Sequence, residues 1–263
     1  ILTTCPDLFL TIQFSIDSLH EAHDESRKIK GGFDAMLKTV RGLSALRRHY
    51  KNLRVQINTP YDTFNVKDIE KIRDFCKVNI DFDQHLFYMF REDGTLISDT
   101  NAHLADDFLK FIQDHDLNEL RERGRDLWSR AVRAMQSVAY EDTRRIKKDK
   151  EFIRPCHATQ KFVTLYDDGT FTPCEVLAAS SLANIRDYDF DYYKMKRETD
   201  VNAYHRKEIL DKKCNCEWMC APAINMLYDP MSYLRIAKGL YRPGSNALKE
   251  SSVNALPVLE ERE

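Results

Sequence analysis

Five of the seven cysteines, Cys156, Cys174, Cys214, Cys216 and Cys220, fall in one stretch of the chain, while Cys5 and Cys76 lie far upstream. An odd number of thiols in a chain with no secretion signal argues against a disulfide framework. In a reducing cytosol, clustered thiols are more often metal ligands. Cys5 and Cys76 read instead as small buried hydrophobes. That reading suits the Cys-x-Cys-x3-Cys group of Cys214, Cys216 and Cys220 badly, because three thiols this close together serve no packing purpose.

The intervening sequence can bring these thiols together. Phe162 to Tyr166 and Thr170 to Cys174 are β-prone runs joined by Asp167-Asp168-Gly169, and Asp-Gly between such runs predicts a hairpin. The fold-back lets Cys156 and Cys174 meet at its open end. Cys216 and Cys220 are spaced by one helical turn, which predicts both sulfurs on one side of a helix. Five thiols from two elements suit a [4Fe–4S] cluster, which takes four thiolates. A structural zinc also takes four, and that alternative stays open at this point.

The elements needed to hold such a centre are legible upstream. The chain of 263 residues, 43% hydrophobic and 31% charged, can bury a core in one or two domains. Its net charge of −2 gives no reason to expect nucleic acid as a partner. No apolar run is long enough to span a bilayer. No signal peptide is evident, so the cytoplasm is the expected compartment. The chain begins at Ile1 inside an apolar segment and is expected to be a piece of something longer.

Phe9 to Ile16, Leu53 to Thr59 and Ile80 to Phe90 read as strands, the second stopped by Pro60. A polar loop containing His20 and His23, expected to face solvent, follows the first strand. A helix begins after Gly31-Gly32, with Phe33, Met36, Leu37, Val40, Leu43 and Leu46 at helical spacing. A second runs from Val66 to Cys76 with Asn65 as its cap. Strand–helix alternation with short loops predicts parallel strands and right-handed crossovers, but three strands are too few to close a barrel. Residues 105–150 read as helix with a break near Asp116. An apolar stripe there joins Leu127, Trp128, Ala131, Met135 and Val138. The basic run Arg144 to Lys150 reads as a solvated helix end, with a phosphate-bearing substrate as the sharper alternative. The chain thus divides into 1–104, a helical connection 105–150, a cysteine-rich unit 151–240 and a loosely held tail 241–263.

Cys156-x12-Gly169-x4-Cys174 resembles the opening half of the cluster motif in radical S-adenosylmethionine (SAM) enzymes with SPASM or twitch extensions. Ser181-Leu182-Ala183-Asn184-Ile185-Arg186 is similar to the Gly-Asn-Ile turn that often follows it there, with Ala in place of glycine. Cys214 to Cys220 resembles the compact cysteine ending of such proteins. Upstream, Phe14-Ser15-Ile16-Asp17 resembles the end of their fourth barrel strand, and His23-Asp24-Glu25-Ser26-Arg27 a following conserved stretch. Ile57-Asn58-Thr59 to Asn65 is similar to their fifth strand and the loop Asn after it.

The resemblance implies the second half of a partial (β/α)6 barrel followed by a small α+β cluster-binding domain. It implies SAM contacts at Ser15, Asp17, Arg27, Asn58 and Asn65, and cluster ligation by four of the five clustered cysteines. A parent enzyme would abstract a hydrogen atom from a peptide or small metabolite through a 5′-deoxyadenosyl radical, served by a donor such as flavodoxin or ferredoxin. The Cys-x3-Cys-x2-Cys loop that binds the SAM-cleaving cluster does not occur here. The chain alone is therefore expected to be inactive, as a fragment or as a degenerate relative. The competing classes are a non-catalytic module with structural zinc, and an interaction protein whose cluster only stabilises the fold.

Overall fold

The computed structural model describes residues 2–91, 97, 99–116, 127–218 and 220–241. The Trp128 side chain and the tail from 242 onward lie outside the described residues. The fold is mixed α/β around a three-stranded parallel sheet in the order β1 (Leu10–Ser15), β2 (Leu53–Tyr61), β3 (Gln84–Met89).

Alternation sets the two faces of this sheet. Ile16, Val55 and Ile57 point to one side and pack on α2 (Gly32–Arg47) through Phe33, Leu37 and Val40. Ile72 and Cys76 of α3 (Ile69–Asn79) join the same core. Further along that face, Tyr61, Phe87 and Met89 pack on Phe108 and Phe111 of α4 (Ala105–Phe111). The opposite face carries Gln13, Gln56, Asn58, Leu86 and Tyr88, and these line an open cleft. Parallel sheets are normally covered on both faces.

Several boundaries differ from the sequence reading. Pro60 does not stop β2, which continues to Tyr61. Its missing N–H falls on the side facing β1, which has already ended at the Ser15–Asn58 pair, so no ladder bond is lost. The polar loop after β1 holds a helix, α1 (His20–Arg27). His23 is buried rather than solvent-facing: its Nδ1 accepts the Asp17 N–H at 3.2 Å and its ring packs on Phe33. Helix α3 starts at Ile69, not Val66, and Asn65 does not cap it. Leu46 and Leu127, both expected on apolar stripes, are exposed.

The long helix α5 (Leu127–Asp149) joins the sheet to the cysteine-rich part. Lys147, within the basic run expected to be solvated, is fully buried. Its neighbours Arg144, Arg145 and Lys148 pair with Asp149, Glu151 and Asp106. Downstream come a second small sheet and the helices α6 (Tyr192–Glu198), α7 (Val201–His205), α8 (Cys220–Met226) and α9 (Pro230–Tyr241). Helix α9 runs against α5 closely enough that a Cβ at Gly239 would stand 3.2 Å from that of Ala134. Asp142 of α5 receives Arg154 and Arg235, cross-linking helix, loop and α9. No helix among the described residues is long and apolar enough to cross a membrane.

Candidate metal centre

The hairpin forms where the Asp-Gly signal puts it. Strand β4 (Thr164–Leu165) pairs antiparallel with β5 (Thr170–Thr172), Thr164 opposite Thr172. Gly169 sits in the turn at φ +87°, a conformation that L side chains rarely adopt. A Cβ there would also stand 2.7 Å from Asn184 Oδ1. The short strand β6 (Ala183–Asn184) adds to β5, and Asn184 Nδ2 donates to Asp168 O at 3.1 Å. Its Oδ1 accepts the Arg186 N–H at 3.0 Å. The Ala-Asn-Ile turn thus clamps the hairpin tip, so its Asn has a structural task.

At the open end, Cys156 and Cys174 are buried in one apolar nest with Cys214 and Cys216. Backbone N–H groups are aimed at two of the sulfurs. Cys174 accepts from Leu177 and Val176, and Cys216 from Trp218. Hydrogen bonds of this kind favour a thiolate. Burial acts against them, pushing Cys214 up to about 12 and Cys174 and Cys216 upward as well, and the neighbouring sulfurs add to the rise. Gathering thiols in an apolar pocket is costly for the ionised state unless a cation enters with them, and bound metal inverts that balance. Among the described residues, no three His, Cys, Asp or Glu side chains are grouped to hold a single metal ion. Both a four-iron cluster and a structural zinc take four thiolates, so the donor types alone do not choose between them.

The loop carrying Cys214 and Cys216 is fixed on three sides. Cys214 N–H donates to Ile209 O at 2.9 Å, and Asn215 Nδ2 to Glu151 O at 2.8 Å. Glu217 pairs with the buried Lys147. Cys220 behaves differently. It opens α8 while Cys216 lies in the irregular segment 214–218, so the two do not share a helical turn. Pro222 at the third helical position suits a helix that starts at Cys220, since its missing N–H would have no partner in the first turn anyway. Cys220 is exposed, outside the nest, and faces the cleft. Cys76 is fully buried beneath the first sheet, and its thiol is pushed up to about 12 by burial, as suits a packing residue.

The cleft, of about 1210 Å³, lies between the uncovered sheet face and the cysteine loop. Asp17, Arg27 and Asn58 line one wall; Glu175, Glu217, Trp218 and Cys220 line the other. Asp17 and Arg27 meet through two contacts, at 2.7 and 2.5 Å, and Ser26 Oγ adds a third bond to Asp17 at 3.0 Å. The carboxylate raises Arg27 above its ordinary value. Gln56 Nε2 donates to Gln13 on β1 and to Asn58 on its own strand, both at 3.0 Å. Ser15 pairs in register with Asn58 at the carboxyl end of β1 and is half-buried. Asn65 is buried behind the wall. Its Nδ2 donates to Asp17 O and Pro60 O, both at 2.7 Å, and its Oδ1 accepts the Asp62 N–H at 3.0 Å. That amide is committed to the backbone and is not free to bind a ligand.

Sequence reasoning missed Lys147, Glu217, Tyr88 and Arg91. Glu217 stood inside the cysteine motif, and Lys147 inside a basic run that reads as surface. Comparison of the chain with protein-family models, curated proteins and solved structures returned no match.

Proposed function

We propose that this chain is the C-terminal part of a radical SAM enzyme, in which Cys156, Cys174, Cys214 and Cys216 hold an auxiliary [4Fe–4S] cluster. The observation that carries this reading is the convergence of four buried thiols beside a cleft whose other wall is the polar face of a parallel sheet. When bound, such a cluster supplies one-electron chemistry at a potential set by burial and by hydrogen bonds to its sulfurs. Val176, Leu177 and Trp218 would orient the sulfurs through their N–H groups. The Lys147–Glu217 pair would hold the ligand loop in register with the end of β3.

In this reading the three strands are the second half of a partial (β/α)6 barrel, and their polar face is the barrel's interior. Ligands of parallel sheets bind at the carboxyl ends of the strands, which is where Asp17 and Asp62 stand, with Asn58 on the adjoining sheet face. Asp17 would position Arg27, and Asn58 would present its amide to SAM or substrate. The reaction of the parent, hydrogen abstraction from a small molecule or peptide by a 5′-deoxyadenosyl radical, belongs to the proposal, as do cytoplasmic location and a flavodoxin- or ferredoxin-type donor.

Metal and sulfide analysis tests the reading. Anaerobically purified protein should be brown, with about four irons and four acid-labile sulfides per chain. Colourless protein carrying one zinc and no sulfide would replace it with a structural zinc module.

A further inference from the structure

We infer that Arg91 is the anchor for a carboxylate on the molecule that occupies the cleft. This rests on reading the cleft as the substrate chamber. Arg91 lies just beyond β3, at the carboxyl edge of the sheet, and lines the cleft, as does Arg27. Its guanidinium sits above the Trp218 indole, 5.9 Å from the ring centre, which holds the flat fork in one orientation. Its Nη1 is buried and has no hydrogen-bond partner among the described residues. Among the described residues its closest carboxylate contact, Nη2 to Glu175 Oε1, is 3.8 Å, too long for a hydrogen bond.

Among the described residues, the other cations at or beside the cleft, Arg27 and Lys147, are each held by a carboxylate. Arg27 is gripped by Asp17, and Lys147 donates to Glu217 and to Phe90 O. A guanidinium with donors to spare matches a carboxylate, which accepts two parallel N–H bonds. The class of ligand follows from the remaining charges. Besides the paired Asp17 and Glu217, Glu25, Asp62 and Glu175 also line the cleft, so a ligand with a second anionic group, or a phosphate dianion, meets repulsion. One carboxylate on an otherwise neutral or cationic body is the chemistry that fits, such as the free end of a peptide or an amino acid derivative.

Ligand-observed NMR on the full chain tests this, with phenylacetate and its neutral isostere phenylacetamide as probes. Phenylacetate should bind roughly tenfold or more tightly than the amide, the scale of a charge-assisted contact. Arg91→Gln should abolish that preference, and Arg91→Lys, which keeps the charge but loses the fork, should retain only part of it. Unfolding curves establish that each variant is folded; should Arg91→Gln not fold, the Lys variant decides. An undiminished preference in the variants, or no preference in the parent chain, overturns the assignment. Stronger displacement of phenylacetate by inorganic phosphate than by acetate overturns the choice of carboxylate. Iron and sulfide are measured on the same sample. Brown protein without acid preference sinks the Arg91 site alone, and colourless protein with it sinks the cluster reading alone.

Discussion

Lys147 Nζ lies 2.7 Å from Glu217 Oε2 with both side chains removed from solvent, joining the middle of the cysteine loop to the long helix. The same ammonium donates to Phe90 O at 3.2 Å, so one residue ties loop, helix and the end of β3 together. Lys147→Met should cost about 3–5 kcal/mol, because it strands a buried carboxylate. Replacing both residues with Met and Leu should recover most of that loss. Urea unfolding of the two variants checks the pair, and an equal loss in both would show that volume, not charge, matters there.

Cys220 is separated from the other four clustered thiols. Cys220→Ala should therefore keep full iron and sulfide content, whereas alanine at Cys156, Cys174, Cys214 or Cys216 should lose the cluster. Absorbance and iron content per chain read the difference. Cluster loss in the Cys220 variant would mean that the loop rearranges on binding to bring the exposed sulfur inward.

Asn65 acts through the backbone. Asn65→Ala removes two donors from buried carbonyls and an acceptor from Asp62 N–H, so it should destabilise the chain by roughly 2–4 kcal/mol. Asn58→Ala, on the cleft wall and half-buried, should cost well under half as much. Chemical unfolding of the two variants ranks them, and the reverse order would return Asn65 to the list of ligand contacts.

His85 sets an acid limit on stability. Burial holds its folded-state value down to about 3, against an ordinary value of 6.5. Below about pH 6.5 the unfolded imidazole gains a proton that the folded one refuses, so this contribution falls as pH drops from 6.5 toward 3. At pH 5 the loss from this group is about 2 kcal/mol. His85→Leu should remove that component, so its unfolding free energy should fall less between pH 7 and 5 than the parent's. Parallel pH dependence of the two proteins would show that other groups govern acid stability.

Features that depend on local pattern are legible in the order of the amino acids. The three strands and their parallel order follow from alternating apolar residues separated by helical segments. The hairpin follows from Asp168-Gly169, because few residues other than glycine tolerate φ +87°. The grouping of Cys156 and Cys174 follows from that hairpin. Tertiary structure decided whatever depends on which polar groups find partners. His23 and Lys147 look like surface residues until Asp17 N–H and Glu217 are brought to them. Asn65 looks like a helix cap until its amide is seen bridging two buried carbonyls. Cys220 looks like a partner of Cys216 until the helix is seen to begin only at residue 220. In each case a polar side chain in a low-dielectric interior is stable only with a specific partner, and that partner lies far away in the chain.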